Sequence, residues 1–539
     1  MLRTFSLLLI TAAASLAADK PNILLILSDD LGYGDVGCYG ATHVKTPNID
    51  RLAKEGRRFT DAHSPASTCT PTRRALLTGA YSWRQAPASG ILPGDAPLGI
   101  LPGSTTLPSL LKQAGYRTGA VGKWHLGLGG PAAPDGTGQG PDWNGEIKPG
   151  PSEVGFDYHF IMAATGDRVP TVFVEDHHVV GLDPKDPITV SYKSKVGTEP
   201  TGKENPELLR LKHTHGHDMT IVDGVGRIGW MTGGKAARWH DEDMADTFTK
   251  KAIAFMDDAA APKDQPFFLY FATHNIHVPR VPNERFKGTS GHGTRADSIA
   301  ELDESVGKVV AALERSGQLD KTLIIFTSDN GGVMDDGYAD FAPGDYRMNG
   351  ALRGTKGTLF EGGHRVPFIV RWPGKVPANT ESPALIAHLD LPASLAALTG
   401  VSLPADSCPD SVNLLPVLLG QSDKGRDQFI AHNGGIKGPL MIREGQWKFI
   451  QPGTGGGYGS GAEGNAAKPA AKAEAAPKSD EIEPKPAPAQ VAKPSPKGML
   501  FNLAADPEEK NNLVNENPDK VKELQGHLQQ ARQAGKTRE

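Results

Sequence analysis

An α/β fold, built on a large mixed, mostly parallel sheet sandwiched by helices, is predicted by three observations in this 539-residue sequence. Continuous apolar runs of strand length occur at 22–27 (NILLIL) and 322–327 (TLIIFT). A run that is apolar at every position, not every second, needs cover on both faces, which is how parallel strands between helical layers are placed. Both runs end in the same chemistry, SDD at 28–30 and SDNGG at 328–332, and helix-length amphipathic segments alternate with them along the chain.

The elements follow in order. Residues 1–17 carry Arg3, an apolar run at 5–10 and small residues at Ser15 and Ala17, which predicts an export signal cleaved after Ala17 and a periplasmic or extracellular protein. The run is far shorter than the roughly 20 residues of a membrane anchor, so no transmembrane segment is expected. After the strand at 22–27, Thr46-Pro47 opens a helix that ends near Gly56. At 69–79 (CTPTRRALLTG) a second helix is predicted, with Pro71 in its first turn, Leu76 and Leu77 to bury and Gly79 to close it. Cys69 then sits at a helix mouth, where backbone N–H groups and the helix dipole favour an anion. Helices at 106–115, 241–258, 296–317 and 389–400 alternate with strands at 119–124, 266–271, 322–327 and 367–371, which places a main domain at 18–400.

A C-terminal subdomain is expected at 401–539. Strands within 438–452 and at 499–503 form a small antiparallel sheet, closed by an amphipathic helix at 518–535. Between them, about 453–498 turns first glycine-rich (GTGGGYGSG) and then rich in Ala, Pro and Lys, a composition that predicts a disordered insert.

Composition bounds the function. A net charge of -5 with no basic tract argues against a nucleic-acid surface, while 38% hydrophobic and 22% charged residues are ordinary for a soluble globular chain. Only Cys38, Cys69 and Cys408 are present, so disulfides do not hold the fold, and Cys38 and Cys408 read as buried or loop thiols.

In parallel sheets ligands bind beyond the carboxyl ends of the strands, where Asp29, Asp30, Asp329 and Asn330 would emerge. All four offer hard oxygen donors, which suit Ca²⁺ or Mg²⁺. Lys123 and His125, two apart in GKWHLG, would point to one side of an extended segment. Histidine pairs at 274–277 (HNIH), 213–217 (HTHGH) and 177–178 have spacings that can ligate zinc, but no carboxylate or cysteine partner lies nearby in sequence.

Taken together, CTPTR at 69–73, SDDLGYGD at 28–35, GKWHLG at 122–127, HNIHVP at 274–279, TSDNGG at 327–332, RGTKGTLFEGGHRVPFIVRWPG at 353–374 and FNLAADPEEKNNL at 501–513 resemble the sequence blocks of type I sulfatases of the alkaline-phosphatase-like superfamily. That resemblance implies that a maturation enzyme converts Cys69 to formylglycine (3-oxoalanine), recognised with Pro71 and Arg73. One oxygen of the hydrated aldehyde would attack sulfur, giving a covalent sulfated intermediate, and the other would expel sulfate. Asp29, Asp30, Cys69, Asp329 and Asn330 would hold a divalent metal, Ca²⁺ in preference to Mg²⁺. Lys123 would stabilise the formylglycine alkoxide with Arg73, and His125 would act as base. His277 and Lys356 would contact the sulfate, one or both protonating the leaving oxygen. Thr165 and Asp167, in AATGDRVP, and His215 and His217, in HTHGH, become substrate-pocket candidates. The implied activity is hydrolysis of a sulfated carbohydrate or an aryl sulfate. Two alternatives stay open: a formylglycine-dependent phosphonate monoester or phosphodiester hydrolase, and a catalytically dead protein that binds sulfated glycans.

Overall fold

Alternation along residues 22–28 shows why the first strand sits in the middle of the molecule. Ile23, Leu25 and Leu27 join the apolar core on one face of the sheet, and Leu24 and Ile26 join the core on the other. Each such fully buried side chain contributes about 1.5–3 kcal/mol relative to an exposed one. The computed structural model describes residues 20–84, 90–130, 140–259, 265–340, 346–433, 438–453 and 496–538. The expected export signal at 1–17 and almost all of the expected insert at 453–498 lie outside the described residues.

Ten strands form the central sheet: Asn22–Ser28 (β1), Arg57–Phe59 (β2), Arg117–Lys123 (β3), Tyr158–Met162 (β4), Phe173–Glu175 (β5), His178–Val179 (β6), Phe267–Ala272 (β7), Thr322–Ser328 (β8), Phe368–Arg371 (β9) and Thr380–Ser382 (β10). Their spatial order is β10-β2-β9-β8-β1-β7-β3-β4-β5-β6. The middle five, β8-β1-β7-β3-β4, run parallel. Antiparallel pairings of β9 with β8 and β2, and of β5 with β4 and β6, make the sheet mixed towards its edges.

Helices cover both faces. Pro47–Glu55 (α1), Met244–Ala259 (α4) and Thr294–Arg315 (α5) bury Ile49, Leu52, Phe248, Phe255, Ile299 and Leu302 on one side. Cys69–Thr78 (α2), Leu107–Gln113 (α3) and Leu391–Thr399 (α7) bury Leu76, Leu77, Leu107, Leu111 and Leu395 on the other. A short helix, Glu361–His364 (α6), precedes β9, and another, Leu415–Leu418 (α8), leads towards the C-terminal sheet. No helix among the described residues is long and apolar enough to cross a membrane.

That second sheet is antiparallel and has four strands, Gln428–His432 (β11), Leu440–Glu444 (β12), Trp447–Ile450 (β13) and Met499–Asn502 (β14). Pro518–Gln533 (α9) lays Leu524, Leu528 and Ala531 on a core that also takes Phe429 and Phe449 from the sheet and Ala75 and Tyr81 from in and behind α2. The C-terminal sheet also touches the main chain just before Cys69: Ala66 bridges His432, and Ser67 N–H donates to His432 C=O at 3.0 Å.

Candidate active site

Strand register delivers the acids to one place. Ser28 lies opposite Ser328 at the ends of two adjacent parallel strands, so Asp29 and Asp30 leave β1 where Asp329 and Asn330 leave β8. On the other side of β1, Leu27 is level with Ala272 of β7, and the chain that follows docks through Asp29 N–H to Asn275 C=O (2.9 Å) and Ile276 N–H to Asp29 C=O (2.6 Å). One strand further, β3 ends at Lys123. Helix α2 approaches from one face with Cys69 as its first residue. Thr68 before it is extended, and Gly79 ends it at φ +61°, donating to Ala75 C=O at 2.9 Å.

The side chains converge. Asp29, Asp30 and Asp329 are fully buried and present carboxylate oxygens within 4.8 Å of one another, and Cys69 Sγ, Asp29 and His277 do the same. Lys123 Nζ lies 2.6 Å from Asp29, and Lys356 Nζ lies 2.9 Å from Asp30 and 2.7 Å from Asp336. Arg73 reaches Asp329 at 2.8 Å and donates to Lys123 C=O at 3.0 Å. Asn330 Nδ2 donates to Asp30 at 2.7 Å. His277 Nε2 sits 3.8 Å from Asp30 and 3.7 Å from Asp336, while its Nδ1 faces Val278 C=O at 2.8 Å.

Burial and charge set the protonation. Burial pushes the Cys69 thiol up to about 11, against the pull of Lys123 and Lys356, so the helix-mouth thiol is not an activated thiolate. Burial, with Asp329 and Asp30 close by, drives the Asp29 carboxyl well up despite Lys123 and Arg73. Burial also opposes ionisation of Asp30, but Lys356, Lys123 and the Asn330 hydrogen bond outweigh it and hold that carboxyl down. His125 and His277 are both held well below the usual imidazole range, by burial first and then by neighbouring lysines.

The donor set fits a hard divalent cation. Among the described residues, Asp29 Oδ1, in the carboxylate cluster, and Asn330 Oδ1, on the amide whose Nδ2 reaches Asp30, are buried oxygens with no hydrogen-bond partner.

One expectation is corrected. Residues 123–125 are not extended, because His125 has φ +56°, and the two side chains diverge: Lys123 reaches Asp29, while His125 Nε2 faces Leu92 C=O at 2.9 Å. Both remain fully buried beside the cluster, and His125 Nδ1 has no hydrogen-bond partner among the described residues.

Thr165 and Asp167 are buried, and the Thr165 hydroxyl donates to the Asp167 carboxylate. His217 Nε2 joins the same carboxylate at 2.9 Å. His215 behaves differently: its ring is largely exposed, and its backbone C=O receives His217 Nδ1 at 2.8 Å. Two residues enter this wall without a signal of their own in the sequence reading. Arg168 contacts Thr165 at 2.9 Å and Asp167 at 3.2 Å, and Asp336 carries Lys356. Arg168 adjoins a candidate in AATGDRVP and is within reach of sequence reasoning; Asp336, in GGVMDDGYAD, belongs to no block that would mark it.

The chain is similar to known proteins over most of its length. A family model described as Sulfatase matches residues 21–401. An N-acetylgalactosamine-6-O-sulfatase of Bacteroides thetaiotaomicron is 48% identical over 515 residues, covering 94% of this chain and 92% of that protein. Human arylsulfatase A is 34% identical over 456 residues, covering 82% and 77%. A solved structure from work on the metabolism of multiple glycosaminoglycans by Bacteroides thetaiotaomicron superposes with a TM-score of 0.84 at 46% identity, covering 96% of this chain and 100% of that one. With a family match over most of its length and its acids, cations and buried cysteine gathered at the carboxyl ends of a parallel sheet, the chain belongs to the sulfatase family of the alkaline-phosphatase-like superfamily, enzymes that hydrolyse sulfate esters.

Proposed function

We propose that this enzyme removes a 6-O-sulfate from N-acetylgalactosamine or a related galactose-type sugar, using Cys69 after its conversion to formylglycine. The observation that carries the mechanism is the state of Cys69 itself: a fully buried thiol, pushed up to about 11, ringed by Lys123, Lys356, Arg73 and His277. A protonated thiol is a poor nucleophile, whereas the surrounding cations suit a sulfate group. The sugar is supported by the 48% identity to the N-acetylgalactosamine-6-O-sulfatase over nearly the whole chain. Residues 1–17 support export before the enzyme acts.

The hydrated aldehyde supplies two oxygens, one to attack sulfur and one whose collapse expels sulfate. Asp29, Asp30, Asp329 and Asn330 would hold a Ca²⁺ ion, which supplies Lewis-acid polarisation of the ester and acidifies the attacking hydroxyl. Arg73 and Lys123 set positive charge beside position 69, held by Asp329 and Asp29. His125, kept neutral by burial, can accept the proton released when sulfate leaves. Lys356, kept charged between Asp30 and Asp336, faces the sulfate oxygens with His277 beside it, and the Lys356 ammonium delivers a proton to the departing sugar oxygen. Thr165, Asp167, His217 and Arg168 form the adjoining wall against which the sugar ring is placed, with His215 at its rim.

The test has two parts. Mass spectrometry of the peptide carrying Cys69, from active enzyme co-expressed with a maturation enzyme, should show formylglycine; a thiol in fully active protein overturns the mechanism. A panel of regiodefined sulfated sugars should give turnover of 6-sulfated galactose-type sugars, abolished by Cys69→Ala. Activity confined to phosphodiesters would overturn the substrate assignment.

A further inference from the structure

Lys356 and His277 each stand between two carboxylates. Asp30, of the oxygen cluster, lies 2.9 and 3.8 Å from them, and Asp336 lies 2.7 and 3.7 Å from them, with oxygens of the two carboxylates within 4.8 Å of each other. Asp30 has an assignment, as one of the four oxygen donors; Asp336 has none. Its side chain is only one-tenth exposed, so it is a buried acid set directly against the groups that would grip the sulfate.

Lys356 does not put it there. The loop that carries Asp336 is held by Arg280, which is buried and donates to Val333 C=O (3.0 Å), Met334 C=O (2.9 Å) and Asp340 (3.0 Å). Thr214 clamps the same loop from the HTHGH segment, through its hydroxyl to Asp335 at 2.8 Å and its N–H to Gly337 C=O at 2.8 Å. The His217 ring lies so close behind Asp336 that a Cβ on Gly337 would fall 1.9 Å from its Nδ1, and Gly337 adopts φ +108°. The wall therefore presents charged and polar groups in sequence, Arg168, Asp167, His217, Asp336 and Lys356, with Asp336 next to the groups assigned to the sulfate.

We propose that Asp336 is a specificity-determining residue, which accepts a hydrogen bond from a neutral hydroxyl of the sugar ring beside the scissile ester and rejects substrates carrying a second anion at that position. The inference rests on the sulfated-sugar reading above. When sulfate engages Lys356, that ammonium turns part of its donor capacity away from Asp336, and the carboxylate is left with acceptor sites that a ring hydroxyl can fill. A second sulfate or a carboxylate placed there meets a buried negative charge, which disfavours it strongly. The substrate class is thus a ring with one sulfate and a free hydroxyl next to it.

Matured enzyme is assayed on N-acetylgalactosamine 6-sulfate, on its 4,6-disulfate and on nitrophenyl sulfate, which has no ring hydroxyl. Wild type should prefer the monosulfated sugar to the disulfated one by at least about 100-fold in kcat/KM. In Asp336→Asn that preference should collapse to under about tenfold, with the loss on the monosulfated sugar entering through KM and exceeding the loss on nitrophenyl sulfate by about tenfold. Equal turnover of both sugars by wild type overturns the proposal without any variant. Equal losses on sugar and nitrophenyl sulfate also overturn it, because Asp336 would then only hold Lys356. Turnover of nitrophenyl sulfate with neither sugar accepted instead overturns the 6-O-sulfated sugar reading, and the proposal with it.

Discussion

Arg73 and Asp329 form a fully buried ion pair, with the guanidinium Nε and Nη2 2.9 and 2.8 Å from one carboxylate oxygen, and so tie the helix that begins at Cys69 to the strand that delivers the oxygen donors. Removing one partner of such a pair strands the other charge in the interior, at a cost of about 3–5 kcal/mol. Arg73→Ala should show that loss in urea unfolding together with loss of sulfatase activity. Arg73→Lys, which keeps the charge but not the planar fork, should fall between the two in stability and stay inactive. Unfolding free energy for Arg73→Ala equal to wild type would mean that Asp329 does not depend on this pair.

The unpaired oxygens of Asp29 and Asn330 lead to a stability prediction independent of turnover. Ca²⁺ binding to the folded state alone should raise Tm, by an amount equivalent to about 2.7 kcal/mol when the ion is at a hundred times its Kd. Asp29→Asn and Asp329→Asn should remove the Ca²⁺-dependent part of the shift. Calorimetric melts of metal-stripped protein with and without added Ca²⁺ measure it, and coincident melts would exclude these residues as ligands.

How much of this is legible in the sequence depends on where each signal is stored. β1 and β8 can be read because every position is apolar, and their register alone places Asp29, Asp30, Asp329 and Asn330 together. β2 cannot, since Arg57-Arg58-Phe59 gains its strand conformation only by pairing with β9 and β10. β11 (QFIAH) is equally silent, being five residues whose burial comes from packing on α9 and Tyr81. In the site, the acids and the cysteine announce themselves by position after strands or before a helix. The turn at His125 does not, because its positive φ is imposed by surroundings distant in sequence, nor does Asp336, whose meaning comes from Lys356 twenty residues away.

His432 predicts a specific acid sensitivity. Its imidazole is fully buried with neither ring nitrogen hydrogen-bonded among the described residues, and burial, helped by Arg74, lowers its pKa to about 4. The unfolded chain binds that proton near 6.5, so below this pH the unfolded state gains protons that the folded state refuses. The stabilising contribution is complete above about 6.5 and is lost as pH falls through about 4. His432→Leu keeps the backbone bridge to Ala66 and removes the titrating group. Urea unfolding between pH 4 and 7 should show the variant gaining on wild type as pH drops, by up to about 3 kcal/mol; parallel curves would exclude the effect. Other buried histidines slope both proteins alike, so the difference isolates His432.

Gly122, immediately before Lys123, gives the last prediction. It adopts φ +111°, and a Cβ there would lie 1.8 Å from Ala272 C=O on the neighbouring strand. Neither atom can yield without breaking the β3–β7 ladder, so an alanine must move the end of β3, and with it the Lys123 ammonium 2.6 Å from Asp29. Gly115 supplies the control, since it has φ +89° but a Cβ there would meet nothing within 4 Å. Gly115→Ala should cost only the left-handed strain, about 1–2 kcal/mol, with kcat retained. Gly122→Ala adds steric overlap to the same strain and should cost about 3 kcal/mol or more. Because the displaced residue is Lys123, the folded fraction of Gly122→Ala should also lose kcat. Equal stability for the two variants would mean that the strand end relaxes freely, and that the position of Lys123 is not fixed by the absence of a side chain at 122.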